Sequence, residues 1–89
     1  MKAIITVIGR DTVGILAKVS QACAKDEANI VEVTQSVLQD MFAMVMLVDI
    51  SKINKDFSEL VETMNELGKA QNLTIHTMHE SIFNSMHRI

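Results

Sequence analysis

A four-stranded antiparallel sheet with two helices on one face, the α+β ferredoxin-like arrangement in βαββαβ order, is the fold this sequence predicts, with a short C-terminal helix added. Three observations predict it. Residues 2–37 and 42–79 each hold a strand–helix–strand unit, a topological repeat with little sequence identity. Alternating apolar runs rich in β-branched residues change places with two stretches at helical spacing. The link Gln39-Asp40 is so short that the runs on either side must form an antiparallel hairpin.

The first strand is Ile4-Ile5-Thr6-Val7-Ile8. It enters the turn Gly9-Arg10-Asp11-Thr12-Val13-Gly14, and Ile15, Leu16, Val19 and Cys23 then mark a helix over about 13–25. Glycine allows positive φ and close approach of another group to the backbone. Asp11 or Thr12 is suited to cap the helix, whose first N–H groups and dipole favour a carboxylate or phosphate. The turn is a candidate small-anion site, or simply a well-capped connection. Asp26-Glu27-Ala28-Asn29 ends the helix, with Asn29 suited to the left-handed conformation.

Val31, Val33 and Val37 alternate with Glu32, Thr34 and Ser36, which reads as a half-buried second strand over 30–37. The third, 42–50, is apolar on both sides, with Phe42, Met44, Met46, Val48 and Ile50 on one face and Ala43, Val45 and Leu47 on the other. A strand of that kind is covered on both faces. Asn54 or Asp56 is placed to cap the second helix, in which Phe57, Leu60, Val61, Met64 and Leu67 keep the i, i+3, i+4, i+7 rule. Gly68 is expected near its last turn and Asn72 at its stop. Residues 73–79 form the last strand, which completes a domain over 1–79. Ile82, Phe83, Met86 and Ile89 make 80–89 an amphipathic helix, packed on the domain or on a partner subunit.

Eighty-nine residues at a net charge of −3 make one domain without a basic face, which argues against nucleic acid. The single Cys23 excludes an internal disulfide and reads as a small core residue. No run approaches a membrane span, and a soluble, cytoplasmic protein is expected. Two-sided strand 42–50 leaves one sheet face bare in a monomer, so a homo-oligomer, a dimer first, is expected to cover it with strands or C-terminal helices. On that reading Met46→Glu should dissociate the oligomer.

Thr6 to Val19, Asn29-Ile30-Val31 and Phe42 to Asp49 together resemble the ACT domain, over residues 2–79. The closing stretch from Met78 to Ile89 further resembles the small stand-alone ACT proteins of bacteria, grouped as an uncharacterised protein family. The resemblance implies a regulatory, non-catalytic module that binds an amino acid or related metabolite at the first loop and subunit interface and acts on an enzyme or regulator. It maps ligand contact onto Arg10, Asp11, Thr12, Val13, Gly14, Ile15 and Leu16, with Asn29 and Ile30 at the start of the second strand. By their chemistry Asp11 suits an ammonium group, the N–H groups of residues 13–16 a carboxylate, and the Asn29 amide either end. For Asp11 and Asn29, helix cap and turn former are the competing structural roles. Gly9 stands where some amino-acid-binding members have a side-chain donor, and Val13 where many have Pro. A ligand-free oligomerisation or adaptor module is the alternative.

Other chemistries find less support. Arg10 beside Gly9 is a superficial match to an acylphosphatase loop, but the central strands offer no asparagine to place a water. His76, His79 and His87 with Cys23 lack metal-ligand spacing, and solvent-facing histidines at the sheet end are expected instead. An RNA-binding sheet would need exposed aromatics, and only Phe42 is at hand. No nucleophile–base set can be assembled, so neither catalysis nor a cofactor is expected.

Overall fold

The computed structural model describes residues 1–10 and 14–86. Strand β1 (Lys2–Gly9) leads to α1 (Ile15–Lys25), β2 (Asn29–Leu38), β3 (Met41–Asp49), α2 (Phe57–Gln71), β4 (Thr74–His79) and α3 (Glu80–Met86). The sheet is antiparallel throughout in the order β2-β3-β1-β4, which is the predicted βαββαβ fold with its C-terminal helix. Ile89 and His87, two residues of the expected tail, lie outside the described residues.

Register decides which face of each strand meets the helices. Ala3, Ile5 and Val7 stand opposite Val48, Met46 and Met44, and Ile75 of β4 stands opposite Val7. All of these are buried in one core with Ile15, Val19 and Cys23 of α1 and Leu60 and Met64 of α2. The face of β3 that carries Met46 is therefore the helix-covered one. Met46 cannot report on assembly, and the outward face of β3 is the one with Ala43, Val45 and Leu47.

Strand β2 departs from simple alternation. Ile30 pairs with Val48 and Val33 with Met46, although they are three residues apart, because a bulge lies between Ile30 and Glu32. Ile30 and Val33 thus both pack on the core, while Val31 is 48% exposed. The expected face of Val31, Val33 and Val37 is broken at its first member.

Both main helices end in left-handed residues. At the end of α1 it is Glu27 (φ 60°), not Asn29, that takes this conformation. The Ala28 N–H donates to the Cys23 carbonyl at 2.9 Å and the Glu27 N–H to that of Ala24 at 3.1 Å, the paired bonds of a Schellman turn. Helix α2 stops at Asn72 (φ 57°), as its sequence predicts, and the Leu73 N–H returns to the Gly68 carbonyl at 2.7 Å. A Cβ on Gly68 would stand 2.7 Å from the Leu73 carbonyl oxygen, so glycine is what lets β4 leave so close to α2.

Cys23 is fully buried, and burial, with a smaller contribution from the Asp26 carboxylate, pushes its thiol up to about 11. The unfolded chain then loses this proton first as pH rises. The stabilisation is complete below pH 9.0, the thiol's ordinary value, and is lost as pH climbs to about 11. Its size is about 2–3 kcal/mol. Urea denaturation at pH 8 and pH 11 should show this alkaline loss in the wild type and a smaller one in Cys23→Ala.

Candidate functional site

The first loop ends in Gly14, which is the N-cap of α1 with φ 75° and ψ 2°. A glycine brings no side-chain cap of its own; the capping expected from Asp11 or Thr12 falls on residues that, with Val13, lie outside the described ones. The first intrahelical bond runs from the Lys18 N–H to the Gly14 carbonyl at 2.9 Å, leaving the N–H groups of Ile15 and Leu16 without helical acceptors. Among the described residues a Cβ built on Gly14 would meet nothing nearer than Lys18 Cε at 3.9 Å. Ile15 turns into the core, whereas Leu16 remains partly exposed.

Arg10 lies at the same end of the sheet. Its guanidinium is 3.5 Å from the Asp40 carboxylate of the β2–β3 hairpin, with both side chains exposed. Such a pair contributes little to stability. It does show that the loop and the hairpin share one end of the molecule. Arg10 also borders a depression of about 430 Å³ between Gly9, Met41 and the Asn72 turn.

Asn29 and Ile30 are elsewhere. Asn29 pairs with Asp49 at the far end of β3, whereas Gly9 pairs with Phe42 at its beginning. The length of β3 from Phe42 to Asp49, about 23 Å at the rise of a strand, separates them. Within one protomer the structure therefore divides the six described site residues into a group at the first loop, Arg10, Gly14, Ile15 and Leu16, and a β2 group, Asn29 and Ile30. Asn29 and Ile30 border an open depression of about 460 Å³ with Ser20, Ala24, Glu27 and Ala28. On its other side Asn29 shares with Glu27, Asp49, Ser51 and Lys52 a second depression of about 340 Å³. Hydrogen bonds from the Ser51 hydroxyl and N–H hold the Asp49 carboxyl below its ordinary value, so that this depression, also bordered by Lys52, carries a carboxylate.

Glu27, which borders both depressions, was not among the expected site residues. Its left-handed position follows from where α1 stops, which composition around Asn29 does not reveal. The histidines also differ from expectation. His76 is exposed on the outward face, but His79 faces the helices and stacks on Phe57, ring centroids 3.9 Å apart. Among the described residues no three His, Cys, Asp or Glu side chains are grouped to hold a metal, and no helix is long and apolar enough to cross a membrane.

Residues 2–78 match the ACT domain family. The chain belongs to the ACT-domain family. A small UPF0237 protein of Methanococcus maripaludis is 49% identical over 86 residues, spanning 97% of this chain and 96% of its own. An ACT domain protein from Streptococcus pneumoniae superposes with a TM-score of 0.83 at 37% identity, over 93% of each chain. A more distant likeness joins this ACT domain to the regulatory subunit of aspartate kinase from Thermus thermophilus, with a TM-score of 0.64 and 25% identity over 85% of this chain and 49% of that one.

Proposed function

We propose that this ACT domain is a regulatory, non-catalytic module of the cytoplasm that binds an amino acid or related small metabolite between subunits and acts through a partner enzyme or regulator. The observation that carries the reading is Gly14, left-handed at the N-cap of α1 and, among the described residues, with open space where a side chain would stand, directly before the first N–H groups of a helix. Those donors and the helix dipole suit a carboxylate. Asp11 suits an ammonium group by its chemistry.

The division of the site supports placing the ligand between two copies. Strands β1 and β2 are both antiparallel to β3, hence parallel to each other. The loop after β1 thus lies at the end of the sheet where β2 finishes. Strand β2 is an unpaired edge, ten residues long, with exposed Val31, Val37 and Leu38. If two such edges pair antiparallel across a two-fold axis, Asn29 of the partner subunit comes alongside the C-terminal end of β2, on the side of Gly14 and Arg10. One ligand can then touch both groups. A long apolar edge of this kind also invites pairing.

A thermal-shift screen against the twenty amino acids at millimolar concentration tests the reading. A ligand that binds only the folded state raises the melting point with its excess over Kd. The expected result is a shift that both Gly14→Val and Asn29→Ala abolish, since two positions so far apart act on one ligand only across an interface. Valine at φ 75° adds strain of about 1–2 kcal/mol, so each variant is compared with its own unliganded melting point. No shift from a stable oligomer would transfer the function to the ligand-free adaptor reading.

A further inference from the structure

Of the depressions that border Asn29, the one lined by α1 lies on the helix-covered face of the sheet. Its walls are Ser20 and Ala24 of α1 and Ile30 of β2, whose side chain packs on the core, while Glu27, Ala28 and Asn29 close the end where α1 turns into β2. Its volume, about 460 Å³, is within the range of small-molecule sites, about 300–1,000 Å³. Ala24, Ala28 and Ile30 offer apolar surface. Glu27 is the charged residue of the lining, and among the described residues no other side chain pairs with its carboxylate. A second source of negative potential lies at the same place, because the depression borders the C-terminal end of α1, where the helix dipole favours a cation. Glu27 also holds φ 60°, a conformation that glycine or asparagine adopts at less cost, so this carboxylate stands there against the local preference of the backbone.

We propose that this depression takes the ammonium group and the side chain of the ligand, with the Glu27 carboxylate accepting the ammonium, so that the ligand is an α-amino acid with an uncharged, mainly apolar side chain. The proposal rests on the regulatory reading above, in which the ligand carboxylate is held at the partner subunit's Gly14. In the edge pairing of β2 that glycine comes to the Asn29 end of the strand and on the same face, since it directly precedes α1. A zwitterion then lies between opposite ends of two α1 helices, its carboxylate at the positive end of one and its ammonium at the negative end of the other. Glu27 thereby takes the part that chemistry alone gave to Asp11, which shares its loop with the carboxylate-binding N–H groups. The side chain falls on Ala24, Ala28 and Ile30. Among the described residues no cation lines the depression to pair an acidic side chain. A basic one would compete with the α-ammonium for the single carboxylate of the lining and leave a charge unpaired. A 2-oxo acid lacks the group that Glu27 receives and leaves the carboxylate without a partner.

Thermal shifts of the full chain test it. Leucine, isoleucine, valine or methionine at millimolar concentration should raise the melting point, and aspartate, glutamate, lysine and arginine should not. The 2-oxo acid with the leucine skeleton, 4-methyl-2-oxopentanoate, should give no shift. In calorimetric titration Glu27→Gln should weaken leucine about ten-fold or more, the effect of losing a charge-assisted hydrogen bond, with the unliganded melting point unchanged. Ala24→Leu fills the depression from an exposed helical position that leucine suits, and should abolish the leucine shift with circular dichroism unchanged. Glu27→Gly relieves the left-handed backbone, so it should melt no lower than the wild type and still lose leucine, a loss that poor folding does not explain. A shift confined to charged amino acids, an equal shift from the 2-oxo acid, or leucine binding that Glu27→Gln and Ala24→Leu both leave intact would overturn the proposal and leave the amino-acid sensor standing. No shift from any amino acid would overturn both together.

Discussion

Met46→Glu is expected to leave no folded protein under native conditions, rather than a dissociated but folded subunit. Met46 is fully buried at the centre of the helix-covered face, opposite Ile5 of β1 and Val33 of β2. Loss of a buried methionine side chain alone costs about 2–5 kcal/mol. The glutamate must then either hold a charge among Ile5, Met44 and Leu60 or take up a proton and bury a carboxyl group without a partner, at a further cost of several kcal/mol. A domain of this size has about 4–13 kcal/mol in total. Circular dichroism should show loss of the sheet and helix signals, and gel filtration an expanded or aggregated chain. A cooperative urea transition of near wild-type midpoint would mean that Met46 is not where the structure places it. Val45→Glu, one residue away and on the opposite face, should keep its fold. The contrast between adjacent residues tests the register of β3 directly.

That pair of residues also marks what the sequence disclosed and what it withheld. Alternation in β3 separates Met44, Met46 and Val48 from Ala43, Val45 and Leu47, but both sets are apolar, so the pattern alone does not say which set meets the helices. The pairing of β3 with β1 decides it. In α2 the question does not arise, because Glu59, Glu62 and Glu66 label the wet side, and both the stripe and the stop at Asn72 are legible. Strand β2 misleads for a different reason. A bulge adds one residue without any compositional mark, so Val31 keeps the alternation on paper and loses it in the sheet. Helix ends are legible to within a residue or two, but the residue that goes left-handed is fixed by the last helical turn. Glu27 takes that place in front of the more willing Asn29.

The candidate site was legible as residue types and not as an arrangement. Gly14 carries its meaning in the sequence, since a glycine before a helical stripe offers positive φ, and it takes φ 75° at the N-cap of α1. Asn29 and Ile30 share a strand start but not a neighbourhood with Arg10, and only the strand directions reveal this. Two parallel strands that are both antiparallel to a third put the end of one beside the end of the other. The proposed site, assembled from the end of β1 and the start of β2, would therefore draw these two groups from different protomers.

Removal of the Lys55 ammonium should cost about 2–4 kcal/mol, although nothing in the sequence distinguishes Lys55 from the other lysines. The α1 terminus is tied to the approach to α2 through this residue. Lys55 Nζ lies 3.0 Å from Oδ1 of Asp26 and donates to the Thr63 hydroxyl at 3.2 Å, while the Asn54 N–H donates to the Asp26 carbonyl at 3.1 Å. The Asp26 side chain is only 5% exposed, that of Lys55 24%, and among the described residues Asp26 Oδ2 has no hydrogen-bond partner. The carboxylate is thus held against its desolvation by a single ammonium. Lys55→Met keeps most of the apolar stem and removes that charge, so the loss measured by urea denaturation should come chiefly from the orphaned carboxylate. Asp26→Asn in the Lys55→Met background should restore most of the lost stability, because a neutral amide costs less to bury than an unpaired charge. If Lys55→Met lost under 0.5 kcal/mol (about the level of an exposed pair), the ammonium would not be what holds the buried carboxylate, and the α1 terminus would rest on its backbone bonds to Asn54 alone.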